Sequence, residues 1–490
     1  MTRNRILATV ALVALGATPA RTAETAKAAP APREGELRGV WIHSPGYFKD
    51  WDGEMKRLAE AGFNAVFLNV CDGAFGHYKS EVLPDTSGYY GKTKTDWVKV
   101  AVEACHKHGL ELHAWRVDLK GIHAKDAEPF LKDGRLMLSS NGTPYNHKGR
   151  KGAHWLCPAH PKNVELEAAA MVELVTKYGV DGVHMDYIRF PQSHGACFCE
   201  NCKQHFLKKS GLVNVNWPDD VRKGGRHSKR FFAMREDHIT NVVRVISERV
   251  RAARPEAKVS AAVFRAPGYA LTVGQNWPDW VEKGYVDFLC PMDYITDLDK
   301  LRTCIQSQVK ATGGRIPLYP GLTTGGSVYT GPKGAAVQSP ESMVSRVVAS
   351  REAGGDGFLI FQYTGSQSTL GRALPHLSET VLKGKTYTDH TAPEMRFEIK
   401  AAGGRVKGRV VCTTKVAGSR KVVRIELAPV VETTGGEKRT ELAEQNITAE
   451  TAIPVDAPLK DACRMAVYGT VHYEDGSTRR FARRSAVLGE

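Results

Sequence analysis

The chain has 490 residues, 42% of them hydrophobic and 25% charged, the balance of an ordinary globular protein rather than a disordered, collagen-like or coiled-coil one. Lys and Arg number 68 against 53 Asp and Glu, a net charge of +15, yet no arginine-rich block or nucleic-acid motif accompanies it. The basic balance therefore points to anionic envelope glycans before nucleic acid.

The N-terminus carries Arg3 and Arg5, an apolar run from Ile6 to Leu15 and small residues over Ala17–Ala20, the pattern of an export signal across residues 1–22. The run is too short to span a bilayer comfortably, and no later apolar stretch reaches the length of about 18 residues that a spanning helix needs. A retained N-terminal anchor is the alternative. Residues 23–35, rich in Ala and Pro, read as a disordered linker, so the expected mature protein is soluble and exported, periplasmic or secreted, with no transmembrane segment.

From Leu37 the chain alternates strand-like apolar runs with helical patterns. Strands are expected at Leu37–His43, Asn64–Val70, Leu110–Arg116, Asp181–Tyr187, Lys258–Phe264, Val286–Met292, Arg315–Tyr319 and Asp356–Gln362, with polar insertions after the third and the fourth. Eight strands with intervening helices make a (β/α)8 TIM barrel, an α/β fold, over residues 36–383. A doubly wound open sheet is the alternative, but no glycine-rich phosphate loop follows the first strand. Residues 392–490 lose the helical period and show strand runs closed by the turn Glu474-Asp475-Gly476-Ser477, which reads as a β-sandwich of the immunoglobulin or fibronectin type.

A barrel builds its active site at the carboxyl ends of its strands. Those ends carry His43; Asn69 and Asp72; His113, Trp115, Arg116 and Asp118; His184, Asp186, Tyr187 and Arg189; Arg265; Asp293 and Tyr294; and Gln362 with Tyr363. Aromatic rings that stack on pyranose faces, mixed with groups that hydrogen-bond hydroxyls, suit a sugar. Glycosidic cleavage needs a proton donor and a carboxylate at the anomeric centre. Asp186 is the first choice for the carboxylate, as nucleophile or electrostatic stabiliser, and Asp293 for the general acid/base. Asp118 and Asp72 stand in reserve, whereas Asp181 and Asp287 open their strands at the opposite end and are excluded. His43, Asn69, Asp72, His113, Trp115, Asp118, His184, Tyr187, Arg189, Arg265, Tyr294 and Gln362 are expected to contact substrate.

The stretches Leu37-Arg-Gly-Val-Trp-Ile42 and Asp181-Gly-Val-His-Met-Asp-Tyr-Ile-Arg-Phe-Pro191, with the strand order, resemble glycosyl-hydrolase-like family 10 over residues 36 to 380. The resemblance implies an exported bacterial protein with a TIM-type barrel and glycosidase activity, Asp186 as a catalytic carboxylate, and His184 and Arg189 nearby. Catalytic Asp residues after strands four and six also occur in barrels of the α-galactosidase type, which supports Asp186 with Asp293 by analogy. The central stretch is similar to the chitinase motif ending Asp-x-Asp-Trp-Glu as well, but this chain has Asp186-Tyr187-Ile188 there and lacks the chitinase acid.

Cys197-Phe-Cys199-Glu-Asn-Cys202 has the spacing that lets several thiolates reach one ion, and soft thiolates favour Zn2+ in a closed tetrahedral site. Cys157 is the first choice for the fourth ligand, with His194 and His205 as alternatives; disulfides are the competing reading in an oxidising compartment. The arrangement resembles that of family 42 β-galactosidases, which implies a structural zinc pinning the loop beside the active site and no cofactor for catalysis. Cys412 and Cys463 could bridge the C-terminal domain.

The expected function is thus an exported glycoside hydrolase cleaving a polysaccharide or peptidoglycan-like glycan. A non-catalytic carbohydrate-binding or envelope-scaffolding protein, and a metal-dependent hydrolase such as a deacetylase, are the other classes carried forward.

Overall fold

A computed structural model describes residues 35–72, 75–83, 95–123, 127–145, 153–192, 196–324 and 339–382, and in the C-terminal part 395–402, 405–412, 422–433, 439–441, 445–447, 451–458, 463–473 and 478–484. The segment expected to be an export signal, and the expected linker up to residue 34, lie outside the described residues. No helix among the described residues is long and apolar enough to cross a membrane.

Eight parallel strands form one sheet: β1 (Leu37–Ile42), β2 (Ala65–Asp72), β3 (Glu111–Val117), β4 (Gly182–Asp186), β5 (Lys258–Val263), β6 (Phe288–Pro291), β7 (Gly321–Thr323) and β8 (Gly357–Phe361). Their order, β7-β8-β1-β2-β3-β4-β5-β6, follows the chain around a cylinder. The last gap, β6 to β7, is bridged at Leu289 and Leu318, where Tyr319 N–H donates to the Leu289 carbonyl at 2.9 Å. Here the sequence reading needs correction. Arg315–Tyr319 supplies only this bridge, and the seventh ladder strand is Gly321–Thr323. Pro317 and Pro320 have no N–H to donate, so a continuous ladder cannot run through them.

Each strand is followed by a helix: α1 (Trp51–Ala61), α2 (Trp97–Lys107), α3 (Pro161–Glu173), α4 (Ser228–Ala253), α5 (Trp277–Glu282), α6 (Leu298–Thr312), α7 (Pro340–Glu352) and α8 (Thr369–Leu377). Side chains of Asp50, Asp96, Asp297, Ser339 and Ser368 cap α1, α2, α6, α7 and α8 by accepting a first-turn N–H. The insertion after β3 carries an antiparallel pair, Lys120–His123 with Ala153–Trp155, and the one after β4 carries the helix Glu200–Ser210.

Strands buried on both faces sort their side chains by parity. Leu37, Trp41, Phe67, Trp115, Phe288, Tyr319 and Leu359 fill the barrel, while Val40, Val66, Leu112, Val183 and Leu289 meet the helices. Gly321 leaves room for the Trp41 indole, which a Cβ at that position would meet at 2.7 Å. At the amino ends a repeated device fixes register. The side chains of Asn64, Asp181, Asp287 and Asp356 accept the backbone N–H of Arg38, Leu112 and Val259 on neighbouring strands and of Leu318 in the segment leading into β7, at 2.7–3.1 Å. Asp181 and Asp287 thus have structural partners at the end opposite the rim.

The C-terminal part contains β9 (Met395–Ala402), β10 (Arg405–Cys412), β11 (Val422–Thr433), β12 (Arg439–Glu441), β13 (Gln445–Ile447), β14 (Thr451–Pro458), β15 (Cys463–Tyr473) and β16 (Thr478–Arg484). They form two antiparallel sheets, one of β9, β10 and β14 and one of the other five, and both contribute to a single apolar cluster that includes Val410, Ile453, Leu427 and Met465. The turn at 474–477 and the side chain of Cys463 lie outside the described residues, and with them the Cys412–Cys463 pairing.

Glu36, just before β1, is buried and grips Arg351 at the end of α7 with two bonds of 2.7 Å. Glu36→Gln leaves the buried guanidinium without its counter-charge and is expected to lower unfolding free energy in urea by about 3–5 kcal/mol. A loss below about 1 kcal/mol would mean that this pair does not anchor the first strand.

Candidate active site

Asp186 ends β4 with its side chain on the barrel side. Its Oδ1 accepts Tyr187 N–H at 2.6 Å and Arg189 Nη1 at 3.2 Å, and its Oδ2 accepts Trp115 Nε1 at 3.2 Å. All three partners are N–H donors, so the carboxylate is held as an acceptor in one orientation. The bond from Tyr187 is made in a left-handed backbone conformation, φ 53°, found at no other described non-glycine residue. That conformation is costly for a residue with a bulky side chain and marks the turn after β4 as constrained.

Around Asp186 stands a wall of rings and cations. The Tyr187 ring has Lys120 Nζ 3.9 Å and Arg189 Cζ 4.0 Å from its centroid, and Arg189 also lies 4.7 Å from the Phe264 ring. Trp155 meets Tyr187 edge-on at 5.8 Å, His43 meets Trp115 at 5.5 Å, and Tyr294 lies 5.6 Å from Phe361. Burial first, and then the charge of Asp186, hold the Tyr294 phenol well above its ordinary pKa. Asn69 binds His77 through Oδ1 at 3.2 Å. Two polar atoms of the wall, Gln362 Oε1 and Trp155 Nε1, are buried without a hydrogen-bond partner among the described residues. Lys120 and Trp155 escaped the sequence reading because they lie in the insertion after β3; the signal was a lysine set among apolar residues in Asp118-Leu119-Lys120-Gly121-Ile122.

Four expected site residues lie buried beneath the rim surface. His113 is stacked on Phe67 at 4.4 Å deep in the barrel and paired with Glu111, so it is a core residue. His184 lies one layer below Asp186 and is fully buried. Trp41 Nε1 donates to its Nε2 at 3.3 Å and Ser260 Oγ lies 2.9 Å from Nδ1, while burial holds its pKa well below the usual imidazole range. It is therefore a neutral buttress. Asp118 has no exposed surface and is shut in beside Arg116 and Glu167, with burial and then the Glu167 charge raising its pKa well above the usual range. Asp293 is also fully buried: its Oδ1 accepts Gln308 Nε2 of α6 at 2.7 Å, and burial lifts its pKa to about 7. The expected pair, Asp186 with Asp293, does not meet at one surface. Arg265 is exposed after β5, and the side chain of Asp72 lies outside the described residues.

The cysteines come together as expected. The Sγ atoms of Cys157, Cys197, Cys199 and Cys202 all lie within 4.8 Å of one another, and all four residues are buried. His205 instead packs against His238 at 4.5 Å, and His194 lies outside the described residues.

A family model described as glycosyl hydrolase-like 10 matches residues 36–342. The curated protein named glycosyl hydrolase YngK, of Bacillus subtilis (strain 168), is 24% identical over 316 residues, 54% of this chain and 55% of that one. Glycosyl hydrolase DigH of Escherichia coli (strain K12) is 22% identical over 267 residues, 49% of this chain and 56% of that one. The chain thus spans little more than half the length of these relatives. Among solved structures, the glycoside hydrolase domain of PgaB (BpsB) from Bordetella bronchiseptica superposes with a TM-score of 0.53 at 12% identity, covering 71% of this chain and all of that one. At that identity the likeness concerns the fold, a TIM-type barrel.

The Asp293 proton gives a pH prediction. The folded protein keeps it to about pH 7, whereas an unfolded aspartate releases it near 3.8, so its stabilising contribution is complete below about 3.8 and lost as pH rises through 7. Asp293→Asn removes this titration, so the melting temperature of the variant relative to wild type should climb between about pH 4 and about pH 8. A difference that stays flat over this range would contradict the assignment.

Proposed function

The chain belongs to the glycosyl hydrolase-like 10 family, and on that premise we propose that it is an exported glycoside hydrolase acting on a polysaccharide or cell-envelope glycan such as peptidoglycan. The observation that carries this reading is the fixed Asp186 carboxylate at the carboxyl-end rim, ringed by Trp115, Tyr187 and Arg189. A carboxylate held by N–H donors is suited to stabilise or trap an anomeric centre that gains positive charge as the glycosidic bond breaks. Trp115, Tyr187 and Tyr294 offer ring surfaces to pyranose faces; His43, Asn69, Arg189, Arg265 and Gln362 offer polar contacts for hydroxyls or acidic groups. The two antiparallel C-terminal sheets are read as an immunoglobulin- or fibronectin-type sandwich, residues 392–490, that aids stability or glycan attachment.

One observation favours a second reading, glycan binding without cleavage. The carboxyl expected to deliver the proton, Asp293, is bonded to Gln308 and has no surface. In the hydrolase reading Asp293 supports the Tyr294 segment from beneath the rim.

The test is release of new reducing ends from a panel of polysaccharides, peptidoglycan included, by wild type, Asp186→Asn and Asp293→Asn. The proposal expects products from wild type, a loss of at least about 100-fold in Asp186→Asn, and a loss of less than about tenfold in Asp293→Asn. Full turnover by Asp186→Asn sinks the assignment, and abolition by folded Asp293→Asn restores the carboxylate pair. A glycan that is bound but never cleaved establishes the second reading.

A further inference from the structure

We infer that Cys157, Cys197, Cys199 and Cys202 bind one Zn2+ ion, and that this ion clamps the two insertions that carry the Trp155–Tyr187 wall of the candidate site. The metal inference stands on the cysteines alone; its bearing on the wall rests on the reading of the Asp186 rim given above.

The geometry fits the ion. A tetrahedral zinc with bonds of about 2.3 Å to sulfur holds its ligands roughly 3.8 Å apart. Here the four Sγ atoms lie within 4.8 Å of one another, with Cys157 at 3.5 Å from both Cys199 and Cys202. No disulfide joins them. Cys199 is the N-cap residue of the helix Glu200–Ser210 and Cys202 lies in its first turn, so two of the four sulfurs sit at the positive end of that helix. Leu138 N–H points at Cys197 Sγ at 3.4 Å. The Cys157 backbone is itself fixed, its N–H donating to Arg135 O at 2.8 Å and its carbonyl accepting Asn163 Nδ2 at 2.9 Å. Four sulfur ligands fill the coordination shell, which makes the site structural.

What the ion would hold follows from the chain. Cys157 lies two residues after Trp155, whose strand pairs with Lys120–His123, and Leu156 N–H donates to Leu119 O at 2.8 Å. The other three ligands belong to the insertion after β4. Neither insertion is part of the barrel ladder, yet their rings meet where Trp155 packs on Tyr187, whose N–H holds Asp186. A zinc joining them fixes that contact from behind.

The experiment uses the full chain purified without chelator. Metal analysis should give one zinc per chain, lost in Cys199→Ser and Cys202→Ser. Hydrogen exchange of metal-free protein should then show faster exchange at 120–123 and 153–157, with β4 and β5 still protected. Metal-free preparations with an intact mass reduced by disulfide hydrogens would overturn the metal site. Zinc present, but with unchanged exchange at 153–157 after its removal, would overturn the clamp while leaving the rim proposal untouched. If a glycan substrate is in hand, the metal-free protein should show a raised KM with a smaller change in kcat.

Discussion

Everything at the rim depends on how the Asp186 carboxylate is held. A free aspartate at a strand end samples several rotamers, but this one accepts bonds from the residue after it, from Arg189 and from the indole of β3. Two of the donors, Tyr187 N–H and Arg189, reach it across the left-handed turn at Tyr187, and the third comes from the paired strand. That turn sends the Tyr187 ring sideways between Lys120 and Arg189 and lets Arg189 fold back over Asp186. Orientation of a charged acceptor beside rings and donors is what a sugar site needs before any substrate arrives.

Beneath the rim, the same parity that aims Asp186 inward makes a supporting layer. His184, two residues earlier, is locked neutral between Trp41 and Ser260, and Trp41 stands over Gly321, where no larger residue fits without displacement. At the far end, Asn64, Asp181, Asp287 and Asp356 fasten one strand to the next. Polar residues therefore divide by position along the strands: register at the amino ends, support in the middle, the candidate site at the carboxyl ends.

Much of this was legible in the sequence because parallel strands buried on both faces announce themselves as short apolar runs, and a barrel fixes which end is functional. That reasoning puts Asp186, Trp115, Tyr187 and Arg189 together at the carboxyl end of the sheet, where the structure has them, and spacing singles out cysteines that do lie side by side. Depth was not legible: His113 and His184 share the inward parity of the rim residues but sit one or more layers down. Asp118 falls on the helix-facing parity with Arg116, and Asp293 lies beyond the last residue of β6, where alternation no longer says which way a side chain turns. Gln308, fifteen residues later, captures it. The seventh strand was misplaced because apolar character outlasts hydrogen-bonding capacity through Pro317 and Pro320. Lys120 and Trp155 reach the site from an insertion whose return path no local pattern encodes.

Sugar binding at the face formed by Trp115, Tyr187, Arg189 and Asp186 is tested most directly by a crystal structure of Asp186→Asn soaked with an oligosaccharide from a glycan the protein recognises. A sugar ring is expected against Trp115 or Tyr187, with its anomeric carbon beside residue 186. Ordered sugar only on the C-terminal sheets, with the barrel rim vacant, would contradict it.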